Sequence, residues 1–192
     1  MSYPNSLFWD SLEPKWVNLG INQTLDEKVF TSDYGTKITS QNGNNGASAS
    51  GRVKGVAPLA FVVSFKLGYQ WGWSSFYACD IKAIPEIGSI SGGHFVTSGY
   101  NGMRFINNSS NNKLEISKGV GTTATLLTDI TGVNDTLITM WRDTSGVVKY
   151  KVGSASVVTV GTLTGDWTFF HAGQSPCSCQ MFQAHNDSRG AS

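Results

Sequence analysis

The sequence predicts an all-β domain, a two-sheet antiparallel sandwich of about twelve to fourteen strands. Three observations predict it. Apolar residues recur in short runs, several of period two, and successive side chains of a strand point to opposite faces. Turn residues punctuate these runs roughly every 8 to 12 positions, the spacing of a sandwich or barrel. No window of about 11 residues keeps the i, i+3, i+4, i+7 apolar pattern of a helix, because Gly and Asn interrupt it.

The elements follow in order. Leu59–Leu67 (LAFVVSFKL) begins as a continuous apolar run, which predicts a strand buried on both faces. Phe76–Ile84 (FYACDIKAI) alternates in its later part, with Ile81 and Ala83 opposing Lys82. Met103–Ile106 and Leu114–Ser117 flank Asn107–Asn112 (NNSSNN), a polar loop tip. Leu137–Arg142 reads as a strand, and so does Val147–Val152, with Val148, Tyr150 and Val152 on one face and Val147, Lys149 and Lys151 on the other. Between those two, Asp143-Thr144-Ser145-Gly146 has turn chemistry, with Gly146 placed for a positive φ. Ser156–Val160 and Trp167–Ala172 complete the series. Gln41–Gly51 (QNGNNGASASG) reads as a flexible loop and 184–192 as an irregular tail. The whole of 1–192 fits one domain, since single sandwiches reach this length.

Composition narrows the function. Only 14% of residues are charged and the net charge is +1, against about 25% charged in an average domain. Gly, Ser, Thr and Asn together supply 75 residues, so the polar surface consists of neutral hydroxyls and amides. There is no basic stripe to displace counterions, which argues against nucleic acid. No segment approaches the ~20 continuous apolar residues of a membrane span. Met1–Asp10 has neither the basic start nor the apolar stretch of a signal peptide, so the five Asn-x-Ser/Thr sequons (Asn22, Asn107, Asn108, Asn134, Asn186) reflect composition. Three cysteines, Cys79, Cys177 and Cys179, do not make a disulfide framework, and the Cys177–Cys179 pair lacks the second pair of a zinc site. Cys79 reads as a small buried hydrophobe.

Two stretches resemble the concanavalin A-like lectin/glucanase superfamily. Phe8-Trp9-Asp10-Ser11-Leu12-Glu13-Pro14-Lys15-Trp16 is similar to the opening phrase of many members, and Asp135–Gly153 (DTLITMWRDTSGVVKYKVG) looks like their late hairpin. The resemblance implies a jelly-roll sandwich and specifies architecture, not activity. Such domains occur in lectins, glycoside hydrolases, adhesion modules and viral fibres. Low charge and the Gly/Ser/Thr/Asn excess look most like the last group. The expectation is a non-catalytic, lectin-like domain on a virion surface (fibre, spike or capsid decoration). Its partner would be a glycan or cell-surface receptor, and by analogy it would be a homo-oligomer, a trimer. Two alternatives stand beside it: a laminarinase-like glycoside hydrolase with an atypical site, and a purely structural capsid or assembly protein.

The glucanase motif Glu-x-Asp-x-x-Glu is absent. Asp80 and Glu86 come nearest, with Pro85 between them, and no catalytic residue is assigned. His94, His171 and His185 are scattered, and no Gly-x-Ser-x-Gly elbow occurs. For binding, sugar C–H faces pack on aromatic rings and sugar hydroxyls pair with amides, carboxylates and Arg. Trp71 and Trp73, in Tyr69-Gln70-Trp71-Gly72-Trp73, are the first candidates, against the ordinary expectation that tryptophans cap a core. Tyr100 and Arg104, in a turn-like Tyr100-Asn101-Gly102-Met103-Arg104, are the second pair, against an ordinary hairpin. Trp141, Tyr150, Trp167 and Phe169 read as core, Trp9 and Trp16 as closing the sandwich ends, and Arg142-Asp143 as a local ion pair. No cofactor is expected; calcium at the loop carboxylates Asp26, Asp33, Asp129 and Asp135 is conceivable, but none has the dense oxygen spacing of a calcium loop.

Overall fold

The computed structural model describes residues 16–18, 27–31, 35–40, 48–53, 60–69, 72–80, 100–174 and 177–185, with side chains at 60–68, 72–80 and 100–171. Fourteen strands lie among them. In chain order they are β1 Trp16–Asn18, β2 Glu27–Thr31, β3 Gly35–Ser40, β4 Ser48–Val53, β5 Phe61–Tyr69, β6 Trp73–Asp80 and β7 Gly102–Asn108. The rest are β8 Lys113–Val120, β9 Thr123–Thr131, β10 Leu137–Arg142, β11 Val147–Val152, β12 Val158–Thr162, β13 Trp167–Gln174 and β14 Cys177–His185. One sheet has the order β1-β4-β13-β6-β7-β8-β9 and the other β12-β11-β10-β5-β14-β3-β2. The strand pairings are antiparallel. The all-β sandwich and its strand number are as the sequence predicts.

Strand alternation builds the core. On β6, Phe76 and Ala78 point between the sheets, as do Met103 and Phe105 on β7 and Trp167 and Phe169 on β13. From the second sheet, Phe61, Val63, Phe65 and Leu67 of β5 meet them. Phe65 stacks on Phe76 at a centroid separation of 3.9 Å and meets Phe105 edge-on at 5.2 Å. Burying each of these side chains contributes roughly 1.5–3 kcal/mol. Asn107, only 1% exposed, adds a polar tie between the sheets: its Nδ2 donates to the Leu67 carbonyl at 2.9 Å. The expected loop tip therefore begins after β7, and the Asn107 sequon is buried.

Strand β5 is buried on both faces, as its sequence implies. Its outward Val62 packs on Trp141, and its Ser64 hydroxyl pairs with that of Thr139 at 3.0 Å. Trp141 thus sits on the outer side of the sheet, while Tyr150, Trp167 and Phe169 join the main core. Arg142 departs from the local ion pair expected of it. The Asp143 carboxylate is spent on its turn, accepting from Ser145 N, Ser145 Oγ and Val147 N. The Arg142 guanidinium lies 4.3 Å from the Trp167 ring centroid and donates to Gly165 O at 3.1 Å. Burial pulls its pKa down to about 10, against the nearby Asp166, so it stays charged at neutral pH.

The sheets are open at β9 and β12, both edge strands. Each has a bulge, at Leu127 against β8 and at Val160 against β11, and both bulged side chains pack against the core. A cavity of about 280 Å³ lies beside them, lined by Ile130, Tyr150, Val152 and Val158 among others. Two expected irregular segments turn out partly regular. Residues 48–51 of the expected loop are strand β4, between β1 and β13, and residues 184 and 185 of the expected tail still belong to β14. In both, small or mixed polar residues hide a strand that its neighbours impose, a tertiary effect that local propensity does not carry. The remainder of both segments lies outside the described residues.

Candidate functional site

The outward face of the first sheet carries a second apolar cluster, separate from the core: Trp73, Tyr77, Cys79, Tyr100, Ile106 and Phe170. Strand parity explains it. Trp73, Ser75, Tyr77 and Cys79 are alternate residues of β6, and in register Tyr77 faces Phe170 on β13 and Arg104 on β7. Tyr77 meets Phe170 at 5.2 Å and Tyr100 edge-on at 6.2 Å.

Tyr100 is held by the backbone around it. Its ring lies so close to Gly119 on β8 that a Cβ there would come within 2.4 Å of it. The residue after it is clamped: Asp80 accepts from Asn101 N at 2.9 Å and from Asn101 Nδ2 at 3.1 Å, while Asn101 Oδ1 accepts from Gly121 N at 2.7 Å. Asp80, the closest approach to a catalytic carboxylate in the sequence, is thus employed in fixing the lead-in to β7. Asp80→Ala is expected to cost about 2 kcal/mol of stability in urea unfolding, the range for hydrogen bonds to a charged group. Glu86, its sequence partner, lies outside the described residues.

Three of the four candidate binding residues can be placed. Trp73 is 8% exposed and Tyr100 fully buried, both in the outward cluster, and Arg104 is half-buried beside them. Arg104 lies within β7, not in a turn, because Gly102 already begins the strand. Trp71 lies outside the described residues. Sequence reading missed Tyr77 and Phe170. Alternation from Trp73 would have put Tyr77 on its face; Phe170 comes from a strand far along the chain, with no local signal.

The hydrogen-bond state of this cluster is unusual. Among described residues, four buried side-chain polar atoms lack a partner: Tyr77 Oη, Tyr100 Oη, Arg104 Nε and, in the core, His171 Nε2. Three of the four belong to this one cluster. Arg104 makes one bond, from Nη2 to Ser117 Oγ at 3.3 Å. Burial drives the Tyr77 pKa far above its ordinary value and pushes that of Tyr100 up to about 12; Arg104 opposes both shifts. Both phenols therefore keep their protons. Cys79 is a free, buried thiol whose pKa burial raises strongly, and it is inert at neutral pH. Toward β9 the face opens, where Leu126, 57% exposed, pairs in register with Ser117.

Among the described residues no group of three His, Cys, Asp or Glu side chains could hold a metal. Asp129 pairs with Lys113, Asp135 occupies a turn at φ 56°, and Asp26 and Asp33 lie outside the described residues. No described helix is long and apolar enough to cross a membrane.

No protein-family model matches the sequence, and no curated protein matches it. Solved structures do. A carbohydrate-binding module, CBM66 of Bacillus subtilis, is similar over 92% of this chain and 97% of its own, with TM-score 0.52 and 10% identity. A legume lectin-like domain from Entamoeba histolytica covers 96% and 97%, with TM-score 0.54 and 9% identity. The chain has the concanavalin A-like jelly-roll fold. A third such structure is the VIP36 exoplasmic/lumenal domain in its Ca2+/Man3GlcNAc-bound form: 88% of this chain and 82% of that one, TM-score 0.52, 13% identity. At these identities the likeness carries the jelly roll alone, and ligands have to be argued from this chain's own residues.

Proposed function

We propose that this jelly roll is a non-catalytic glycan-binding domain, displayed on a virion surface, that takes sugar on the outward face of its first sheet. One observation carries the reading: two tyrosines and an arginine with unpartnered polar atoms share that face with Trp73 and Phe170. A saccharide needs an apolar ring for its C–H face and partners for its oxygens; with Tyr77, Tyr100 and Phe170 fully buried, the sugar would meet this face at Trp73, 8% exposed, and at the half-buried Arg104. The carbohydrate-binding module CBM66 and the Man3GlcNAc-bound VIP36 domain agree with it in architecture. Among the described residues, Asp80 is held by Asn101 and Glu115 accepts from Asn111 Nδ2.

A glycan array tests this. The wild-type chain is expected to bind a defined set of glycans without releasing reducing ends from polysaccharide. Arg104→Ala should weaken that binding at least tenfold, about 1.4 kcal/mol, with the melting temperature of the variant read alongside to separate lost binding from lost packing. An array on which nothing binds would remove the proposal.

A second reading, self-assembly, draws on the open edge of the sandwich. Strands β9 and β12 carry a single charged residue between them, Asp129, and Leu126, Val157 and Val158 are exposed there. Edges so poor in charge invite pairing, though their bulges oppose it. Mass in solution decides: a trimer that falls to monomer in Val158→Lys puts the contact at this edge, and a monomer at micromolar concentration excludes it.

A further inference from the structure

We infer that the cleft at the open edge of the sandwich, between β9 and β12, binds a small uncharged apolar molecule. The site is separate from the outward face proposed for sugar, because its walls come from both sheets and it opens between them. Its volume is about 280 Å³. Close-packed interiors leave few voids larger than one water, and this space equals the liquid volume of about nine.

The floor is Tyr150 and Val152 of β11, 2% and 6% exposed. Strand β9 supplies Leu127 and Ile130, and β12 supplies Val158 and Val160. Regular pairing alone would not give these walls. Against β8, the ladder passes from Thr128 to Leu126 and skips Leu127; against β11, it passes from Gly161 to Thr159 and skips Val160. Each edge strand thus turns one extra apolar side chain toward the same space, from opposite sheets. Bulges re-aim side chains in this way and are over-represented beside functional sites.

The lining sets the chemistry of the ligand. Among the described residues, none of the side chains around the cleft carries a charge at neutral pH. The one ionisable group is the Tyr150 phenol, and burial raises its pKa, so it stays neutral. An ion placed there would lose its water with no opposite charge in the walls to replace it. Val158, 41% exposed, marks the mouth, and the exposed Ser156 and Thr159 beside it offer hydroxyls to one polar end of a ligand. An apolar cavity of about 150 Å³ takes a benzene ring, so this one takes a group of roughly twice that size, an alkyl chain of roughly eight carbons or a fused two-ring aromatic.

The test is titration of the full chain with 1-octanol, 1-naphthol and sodium octanoate, followed by melting temperature and by the NMR shifts of the valine methyl groups. At least one of the two neutral compounds should raise the melting temperature in a concentration-dependent way and shift the Val152 and Val158 signals. The 1-octanol and 1-naphthol arms tell an alkyl from an aromatic ligand. Octanoate, the same chain with a charge, should bind about fivefold more weakly than 1-octanol or worse. Val158→Phe places a ring at the mouth from an exposed position, and Leu127→Trp fills the same space from the other sheet. Each should weaken binding roughly tenfold or more, with the Val158→Phe chain melting as the free wild type does. Binding that neither variant weakens lies elsewhere and overturns the inference, and so does octanoate binding as tightly as 1-octanol. A chain that takes neither neutral compound overturns it as well; if that chain is also oligomeric in solution, the cleft belongs to a second copy. Glycan binding is read separately and stands or falls on the array.

Discussion

Gly102→Val is expected to leave little folded protein, with a stability loss of about 4 kcal/mol or more, at the far end of single-substitution effects. Gly102 opens β7 at φ +147°, a conformation that side-chain-bearing residues rarely adopt. A Cβ there would lie 2.2 Å from the Ala78 carbonyl oxygen and 2.6 Å from the Cys79 Cα. Those are backbone atoms of the neighbouring strand, so no side chain can swing aside. Either β6 and β7 separate, losing the ladder from Cys79–Gly102 to Trp73–Asn108, or the backbone flips and Tyr100 and Arg104 leave their places. Gly121 is the control, because it too has positive φ, +58°, but nothing lies within 4 Å of its missing Cβ. Gly121→Ala should cost only about 1 kcal/mol, the left-handed backbone penalty alone. Chemical denaturation of the two variants separates close packing from backbone conformation. If Gly102→Val unfolds at the wild-type denaturant concentration, the backbones of β6 and β7 do not approach as closely as the 2.2 Å contact requires.

The part of the fold legible in the sequence is the part where alternation and turn chemistry agree. Strands β10 and β11 fall where they are expected, over Leu137–Arg142 and Val147–Val152, because VVKYKV alternates without a break and Gly146 supplies its turn with a φ of +82°. Strand β9 was illegible. Its exposed TATLLTDIT carries a bulge at Leu127 that shifts the phase midway, so no period-two pattern survives. Strand β14 was also illegible: CSCQMFQAH contains no β-branched residue, yet it is paired between β5 and β3. The binding face was half legible. Trp73, Tyr100 and Arg104 attract notice because aromatic and cationic residues cluster locally around glycines. Joining them needs the β6–β7 and β6–β13 registers, which bring Tyr77, Arg104 and Phe170 side by side from three separate strands. Pairing across strands is a long-range property, and a single sequence does not encode it locally.

The fourth unpartnered atom yields the remaining large effect, a loss of stability in mild acid. His171 is fully buried on β13, and its Nδ1 donates to the Ser75 carbonyl at 2.7 Å, since a carbonyl can only accept. That fixes the neutral tautomer and leaves Nε2 bare, with no partner for a second proton. Burial lowers the His171 pKa to about 4, the backbone hydrogen bond offsetting it only in part. In the unfolded chain a histidine titrates near pH 6.5. The unfolded state therefore takes up a proton first as pH falls, and stability rises with pH wherever the unfolded state binds more protons. The contribution is complete above pH 6.5, declines as pH drops below that value, and is lost by about pH 4, to the extent of about 3 kcal/mol. The substitution His171→Asn keeps a donor near the Nδ1 position but removes the titrating group. Urea unfolding of both proteins between pH 8 and 4 should accordingly show the wild type losing about 3 kcal/mol relative to the variant, whatever offset the substitution introduces at pH 8. The other histidines and the carboxylates are common to both proteins and cancel in the difference. Parallel curves across that range would mean that His171 is solvated or protonated in the native state, and that the packing of β13 against β6 at Ser75 is looser than the 2.7 Å contact implies.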